Sequence, residues 1–541
     1  MQKSDPTENG NAPNRSEFEI LVIGAGIAGL SFIYALKQSQ IYKDGLVNYR
    51  IIEKREGPGT DLGYPIHLSS TALESLKNLL TSTDLKKFNK FQEKLPIYHD
   101  GITISTSKNE ILYRMIRSPG IKSMIEREDL MNIFRDSIEE NDNQNNDNNN
   151  NNNDNNKIEY GKYVINLIQY NTHKVEVVFN DEERIKVDLV VGADGIFSST
   201  RNQLYSPSQY RVPYESNKTT KFNKHELEKL PWTTINLRSS NKKIIENWLK
   251  DQNGVNTIVG DRFSATLIPV NKGNDKTVKS TDSDDPELLG IPDTQLKENS
   301  NQAHHADSTD YIITEGENDS GVEYDNTKPA GQRSVEQVYI ALTIPTNWLL
   351  KNHNGKEVKL SNFTKNSQFL HDLENDSIGI EWSTKKEFQV YSLRKTLTGG
   401  GGKGRIVLIG DSSHGTVPFC GSGASNAILD GVDLVRCLER SFEGFDSDSG
   451  NSLRDLQTHN LKLQLDKFSK SSKKRNNKLI TNSKRLLWLA QGETLSFRLI
   501  RKIVFKTLDF IESVSGDRDK MEIQVRNAIE RDTVIKMTKC M

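Results

Sequence analysis

The sequence predicts an α/β protein with a Rossmann-like parallel sheet, and three glycine-containing turns are the observations that predict it. Each turn directly follows an apolar strand, at residues 20–29, 188–195 and 406–414. A strand followed by a tight turn brings backbone N–H groups to a ligand at the edge of an open α/β sheet. The three turns therefore predict a ligand site built from distant parts of the chain.

The length and composition set the class of protein. A chain of 541 residues can form more than one domain, and 72 Lys and Arg against 73 Asp and Glu give no charge that favours nucleic acid. The three cysteines, Cys420, Cys437 and Cys540, form no CxxC pair, so we expect neither a zinc site nor a redox dithiol. No apolar run is long enough for a membrane span, and residues 1–17 lack the apolar core of a signal peptide. We expect a cytoplasmic protein with a disordered leader.

The first 201 residues alternate strand-like and helix-like patterns, as a Rossmann-like unit requires. The predicted elements are a strand at 20–23, a helix at 28–38, a strand at 49–53, and helices at 71–80 and 126–140. Residues 141–156 are almost entirely Asn and Asp, which cannot bury enough apolar area to offset chain entropy, so we expect a disordered loop. Residues 157–188 alternate apolar and polar side chains in two runs, which predicts a hairpin.

The second half of the sequence predicts a sheet, then a segment that completes the first unit, and then a C-terminal tail. Strands are predicted at 232–237, 263–270, 335–345, 388–393 and 405–410, and a helix at 424–440. Residues 271–334 are rich in Asp, Glu, Ser and Asn and predict a second disordered insertion between neighbouring strands. The predicted organisation is a first cofactor-binding segment at 18–201, an interleaved mixed-sheet substrate domain at 202–395, a second cofactor-binding segment at 396–440, and a helical C-terminal region at 441–541.

The first turn, Gly24-x-Gly26-x-x-Gly29, has a mechanism for binding a dinucleotide. Gly24 permits the sharp turn, Gly26 lets the backbone approach a pyrophosphate, and Gly29 allows the helix to pack closely on the strand. Glu53 ends the next strand about 24 positions later, and its carboxylate can accept both hydroxyls of an adenosine ribose. The same carboxylate disfavours a 2′-phosphate and hence NADP here. The alternative is a glycine-rich turn without a ligand.

The other two turns narrow the interpretation by resemblance. The second is Asp194-Gly195 followed by Ser198 and Arg201, and the third is Gly410-Asp411 followed by His414, Pro418 and Gly421-x-Gly423. The ordered triplet resembles the FAD-dependent aromatic-ring hydroxylases, the single-component flavoprotein monooxygenases whose fold is that of para-hydroxybenzoate hydroxylase. Ser425 and Leu429 depart from the family pattern.

The resemblance implies a set of cofactor-binding residues. These are Gly24, Ala25, Gly26, Ala28, Gly29, Glu53, Lys54, Gly63, Arg127, Asp194, Gly195, Asp411, Pro418, Gly421, Gly423 and Ala424. It implies that Asp411 bonds the ribityl chain and that a helix starting near Gly423 points at the flavin, whose reduced form is stabilised by a helix N-terminus. Arg127 is equally well explained as a solvated charge at a helix start. His414 is more simply a packing histidine than a proton donor. Neither a catalytic side chain nor a metal site is assigned.

The same resemblance implies the reaction. Electrons would pass from NAD(P)H, a transient co-substrate, to FAD, and a flavin hydroperoxide would hydroxylate or epoxidise an aromatic or other electron-rich small molecule. One alternative is a halogenase or reductase of the same fold, although the Trp-x-Trp-x-Ile-Pro signature of many flavin halogenases is absent. Another is a catalytically weak flavoprotein scaffold that binds a partner through the acidic insertion.

The tail raises one question about partners. Residues 495–514 predict a basic amphipathic helix, which can lie on an anionic membrane surface. Docking on the protein's own body is the favoured alternative, because terminal helices commonly dock in this way. We expect no nucleic-acid partner.

Overall fold

The structure is a computed structural model of the chain. It describes residues 18–58, 64–92, 95, 102–115, 123–139, 157–169, 174–205, 226–250, 254–270, 335, 337–352, 367–374, 380–400, 404–418, 421–443, 452–492 and 494–515. The predicted leader and both predicted insertions lie outside these residues. The chain divides into two compact units, residues 1–272 with 335–541 and residues 273–334, and every described residue belongs to the first.

A five-stranded parallel sheet forms the predicted Rossmann-like centre. Its strands are β1 (Phe18–Ile23), β2 (Val47–Glu53), β7 (Ile158–Tyr160), β11 (Leu189–Gly192) and β17 (Ile406–Leu408). They lie in the order β17-β11-β1-β2-β7, and every neighbouring pair is parallel. The strands are almost continuously apolar because both faces of the sheet are covered. Their carboxyl ends share one edge.

Two different layers cover this sheet. On one face the buried core joins strand residues to α1 (Ile27–Gln38), α5 (Arg127–Glu139) and α11 (Gly423–Phe442). On the other face lies an antiparallel sheet in the order β10-β9-β8. Its strands are β8 (Val164–Gln169), β9 (Val175–Phe179) and β10 (Arg184–Val187). The hairpin predicted over 157–188 is therefore three antiparallel strands, preceded by a short strand that joins the parallel sheet.

A second, seven-stranded sheet has the order β16-β12-β15-β14-β13-β4-β5. Its strands are β4 (Ile102–Thr106), β5 (Ile111–Met115), β12 (Leu227–Ser239), β13 (Val255–Val259), β14 (Ser264–Val270), β15 (Gln337–Pro345) and β16 (Ile380–Leu393). All neighbouring pairs are antiparallel except β13 with β4. Residues 102–115 belong to this sheet, although the sequence prediction placed them within the first cofactor-binding segment. β14 and β15, which flank the 271–334 insertion, are paired neighbours.

The remaining elements connect the two sheets. They are α2 (Gln40–Lys43), β3 (Pro65–His67), α3 (Ser70–Leu79), α4 (Ser82–Gln92), β6 (Met124–Glu126), α6 (Ser199–Tyr205), α7 (Lys242–Trp248), α8 (Thr346–Asn352), α9 (Gln368–Glu374), α10 (Asp411–His414), α12 (Ser452–Gln491) and α13 (Leu495–Ser515). β3 and β6 pair antiparallel, so the segment after β2 lies directly beside the start of α5. The forty-residue helix α12 packs along α11.

The terminal helix α13 docks on the protein's own body, as the favoured interpretation expects. Phe505 stacks on Tyr113 of β5 with ring centres 6.3 Å apart. Arg501 is buried and donates hydrogen bonds to the carbonyl oxygens of Gly260 and Ala490 at 3.1 and 2.8 Å. Desolvation lowers the pKa of Arg501 to about 10. Within the described part of the chain, no helix is long and apolar enough to cross a membrane.

Candidate functional site

The three glycines in the turn between β1 and α1 have different surroundings. Gly24 has φ +107°, and a Cβ there would lie 2.6 Å from the Ala193 carbonyl oxygen. A Cβ at Gly29 would lie 2.0 Å from the Gly24 carbonyl oxygen, so close packing of helix on strand requires glycine. A Cβ at Gly26 would meet none of the surrounding described residues within 4 Å. Gly24 and Gly29 are therefore fixed by packing, whereas Gly26 faces open space.

Helix α1 begins at this turn without a side-chain cap. Gly26 is its N-cap residue and provides no side-chain cap. Free N–H groups and the helix dipole at such an end favour an anionic group. Ala28, which was expected beside the cofactor, is buried and packs against Gly410, because a Cβ at Gly410 would lie 2.7 Å from the Cβ of Ala28.

Glu53 stands at the end of β2 beside this turn. One carboxylate oxygen accepts a hydrogen bond from the Ala25 N–H at 2.9 Å, and the other accepts from the Arg55 N–H and Nε at 3.1 Å. Burial acts to raise the pKa of Glu53, but these hydrogen bonds outweigh it and hold the pKa below its ordinary value. The carboxylate is thus ionised and fixed. Lys54 points elsewhere, with its ammonium 5.9 Å from the centre of the Tyr163 ring.

The residues of the second motif cap α6 and connect the second motif to the third. Asp194 follows β11 and accepts hydrogen bonds from the Ser198 hydroxyl and, at 3.0 Å, from the Thr200 N–H, so it caps α6. Arg201 is only 2% exposed and donates to the Ser412 carbonyl oxygen at 2.9 Å. It therefore ties the second motif to the third. Gly195 has φ +77° and, like Gly26, a Cβ there would meet no surrounding described residue within 4 Å.

The third motif is anchored by a buried carboxylate on α11. Asp430 accepts hydrogen bonds from the Gly410 N–H at 3.0 Å, from Arg475 Nη2 at 2.6 Å and from the Ser472 hydroxyl at 3.3 Å. His414 Nε2 lies 2.6 Å from the same carboxylate. Burial acts to raise the pKa of Asp430, and its cationic and hydrogen-bonding neighbours hold it below the ordinary value. His414 is completely buried in this network, which fits a packing role.

Asp411 and the residues around it form an open recess. The Asp411 side chain is exposed at the mouth of the recess. The protein atoms around it desolvate the carboxylate and raise its pKa, whereas the charges of His414, Arg201 and Arg127 act to lower it. A Cβ at Gly423, the first residue of α11, would lie 3.9 Å from Asp411 Oδ1. The Arg127 guanidinium lies 5.9 Å from the Tyr64 ring centre, and the backbone N–H of Arg127 donates to the Tyr64 carbonyl oxygen at 3.1 Å.

Three other predicted site residues lie between α10 and the first turn of α11. Gly421 has φ +60°, and a Cβ there would lie 3.5 Å from the Cβ of His67. Pro418 is exposed in the loop before α11, and Ala424 is partly buried against the core. Gly63 and Cys420 lie outside the described residues. Ser472 and Arg475, which support Asp430, carry no sequence signal because they sit in a long charged helix.

The arrangement defines a dinucleotide-binding α/β fold. Glu53 ends β2, and Gly24, Ala193 and Gly410 follow β1, β11 and β17, so four strand ends meet at one edge. Gly26 leaves space for a phosphate to approach the backbone at the uncapped end of α1. The residues fit a dinucleotide, with the exposed Asp411 at the end of the edge away from Glu53.

Comparisons with known proteins agree with this class. No family model matches the chain. The FAD-dependent monooxygenase ptmM of Penicillium ochrochloron is 23% identical over 201 residues, which cover 37% of this chain and 42% of that protein. The FAD-dependent monooxygenase penE of Penicillium thymicola is 25% identical over 195 residues, or 35% of this chain and 36% of that protein. The chain thus matches less than half the length of these relatives.

Solved structures match over nearly the whole chain. The structure of Klebsiella pneumoniae HpxO complexed with FAD and uric acid has a TM-score of 0.57 and 14% identity, covering 93% of this chain and 97% of that one. CtdE in complex with FAD and a substrate has a TM-score of 0.55 and 12% identity, covering 95% and 100%. The predicted fold class and the resemblance to FAD-dependent hydroxylases are confirmed.

Proposed function

We propose that this protein is an FAD-dependent monooxygenase. It takes electrons from NAD(P)H and uses O₂ to hydroxylate or epoxidise an aromatic or otherwise electron-rich small molecule in the cytoplasm. The observation that carries the proposal is the meeting of four strand ends with an ionised Glu53 at one end and an exposed Asp411 at the other. The FAD-dependent monooxygenases found by comparison support it.

The residues divide the binding of FAD between them. Glu53 would accept hydrogen bonds from the ribose hydroxyls, because its carboxylate is held ionised beside the turn. The backbone at Gly26 and the first amides of α1 receive the pyrophosphate. Asp411 would accept hydrogen bonds from hydroxyls of the ribityl chain. The N-terminus of α11 next to it would stabilise negative charge on the flavin ring. Bound FAD supplies the redox chemistry, accepting a hydride and reducing O₂.

Tyr64 and Arg127 line the recess that Asp411 faces. The position of Arg127 beside Tyr64, and its electrostatic effect on Asp411, favour a role in this site over a solvated charge at a helix start. A cation near the ring region attracts an anionic reduced ring and a negatively charged dinucleotide co-substrate.

Two measurements test the proposal. The purified protein should be yellow and should release intact FAD on denaturation, or bind FAD when reconstituted. NADH and NADPH oxidation is then followed with a panel of phenols and other electron-rich aromatics, with product analysis for an inserted oxygen atom. Protein that cannot be loaded with FAD would refute the proposal, and FAD-loaded protein that oxidises neither co-substrate would leave a scaffold role as the better interpretation.

A further inference from the structure

One face of the seven-stranded sheet is covered by α7 and α9, and the other, which α12 contacts at Trp232 and Ser264, is turned towards the recess. Side chains alternate between the two faces along a strand. Ile235 and Leu237 of β12 point to the first face and pack in one cluster with residues of α7 and α9. Trp232, Thr234, Asn236 and Arg238 therefore share the second face.

Both ends of this second face are joined to the proposed flavin site. At one end Arg238 donates to both carboxylate oxygens of Glu126 at 3.1 and 3.2 Å, and Glu126 directly precedes Arg127. At the other end Trp232 shares a buried apolar cluster with Val417, which directly precedes Pro418. The middle of the face consequently lies opposite the recess that contains Asp411 and Tyr64.

The middle of this face is polar, uncharged and partly open. Asn236, Ala341 and Thr266 are paired across β12, β15 and β14, and all three are partly exposed. The adjoining row is closed, because the Thr234 and Thr343 hydroxyls are buried and bond each other at 3.0 Å. The amide of Asn236 and the hydroxyl of Thr266 are thus the polar groups on the open row.

The charge on the central strands of this face is balanced. Arg238 is the one charged side chain on the second face of β13, β14, β15 and the Trp232–Arg238 part of β12. Its two hydrogen bonds to Glu126 form a partly buried ion pair. An anionic substrate would have to compete with Glu126 for that cation, whereas a neutral substrate leaves the pair intact.

We propose that this open row is the substrate platform and that it selects a neutral, flat aromatic compound whose carbonyl, amide or hydroxyl group bonds Asn236 and Thr266, in preference to an aromatic carboxylate. The inference rests on the proposed function, since the recess opposite is taken as the flavin site. The Arg238–Glu126 pair acts as the specificity determinant, because Glu126 neutralises the cation on the platform itself.

The test compares 2-naphthamide with 2-naphthoate, which share a ring system and differ in charge. Their dissociation constants are measured from the absorbance change of the FAD-loaded protein and, independently of FAD, from tryptophan fluorescence. We expect wild type to bind 2-naphthamide about tenfold more tightly or better. Asn236→Leu should weaken 2-naphthamide about tenfold, because it removes a hydrogen-bonding partner from a polar platform.

Substitution of the ion pair provides the decisive measurement. Glu126→Gln frees the Arg238 charge and should shift the preference towards 2-naphthoate at least tenfold. Glu183→Gln, which removes a carboxylate from the distant Arg50 ion pair, is the matched control and should leave the ratio unchanged. If Glu126→Gln does not fold, Arg238→Gln replaces it and should weaken 2-naphthoate further while changing 2-naphthamide little.

The outcomes separate this inference from the proposed function. Tighter binding of 2-naphthoate by wild type, no detectable binding of 2-naphthamide, or an unchanged ratio in the ion-pair variants would overturn the platform. Loss of FAD binding or of NAD(P)H oxidation would overturn the proposed function instead, while the fluorescence measurement still reports on the platform.

Discussion

Gly26 and Gly29 lie three residues apart, and the structure predicts opposite consequences for replacing them. Gly29→Ala should unfold the protein at a lower temperature, because its Cβ would lie 2.0 Å from a backbone oxygen. Gly26→Ala should leave the thermal midpoint of apoprotein nearly unchanged but weaken FAD binding, because its Cβ enters the space assigned to the pyrophosphate. Differential scanning fluorimetry and FAD titration measure the two effects, and equal loss of stability in both variants would contradict the assignment.

Glu53 should contribute to cofactor affinity more than to stability. Glu53→Ala removes the ionised acceptor and should weaken FAD binding by about 1–3 kcal/mol, the scale for charge-assisted hydrogen bonds. The measurement is reconstitution of apoprotein followed by flavin fluorescence. Glu159→Ala, which changes an ion-paired carboxylate on the neighbouring strand β7, is the control. Wild-type affinity in Glu53→Ala would show that the ribose contact is misplaced.

Asp411 should affect both affinity and reduction of the flavin. If it anchors the ribityl chain beside the start of α11, Asp411→Ala should loosen FAD and slow its reduction by NAD(P)H, since one anchor sets the ring position relative to the helix. Anaerobic stopped-flow absorbance of the FAD-loaded variant measures the rate. Asp181→Ala, in the β9–β10 turn, should behave as wild type. Normal occupancy together with a normal rate would refute the role of Asp411.

At the scale of elements, Asp430 joins the third motif to α11 and α12. Asp430→Asn leaves the half-buried Arg475 and the buried His414 without their anionic partner, and we expect a loss of about 3–5 kcal/mol of unfolding free energy. The native pKa of Asp430 lies below its ordinary value, so its contribution is complete at neutral pH and is lost as pH falls below about 4. Denaturant titrations from pH 7 to pH 3 should show that the difference in unfolding free energy between wild type and Asp430→Asn becomes smaller at acid pH. A difference independent of pH would contradict the prediction.

Some elements could be predicted from the sequence and others could not, for physical reasons. The strands before the glycine turns were predicted because they are buried on both faces and therefore continuously apolar, as β1 and β11 show. β4 and β13 were missed because they are short and contain Thr, Ser and Asn at positions that the sheet buries. The pairing of Arg238 with Glu126 could not be predicted, because a contact between residues 112 positions apart depends on how two sheets meet.

At the scale of the whole molecule, the two insertions should be dispensable. β14 and β15 are antiparallel neighbours with Val270 opposite Gln337, so a short turn can replace residues 273–334 without altering the sheet. Loop-closure entropy changes slowly with length, and we expect a change in stability of only about 1 kcal/mol for this deletion or for removal of residues 141–156. Thermal unfolding and flavin stoichiometry of each deletion provide the test. Loss of flavin in either deletion would show that the removed segment contributes to the site.

The pairing of Val270 with Gln337 also makes this protein a suitable scaffold for the insertion of a second folded protein. Paired residues of antiparallel strands lie about 5 Å apart, so a folded fluorescent reporter whose own termini are close together can replace residues 273–334 without prising the strands open. On the face of β14 opposite α7 and α9, Thr266 lies on the proposed platform, four residues before the junction at Val270. A ligand that stiffens β14 would then be reported as a change in emission, which would turn the chain into an optical sensor for its own substrate.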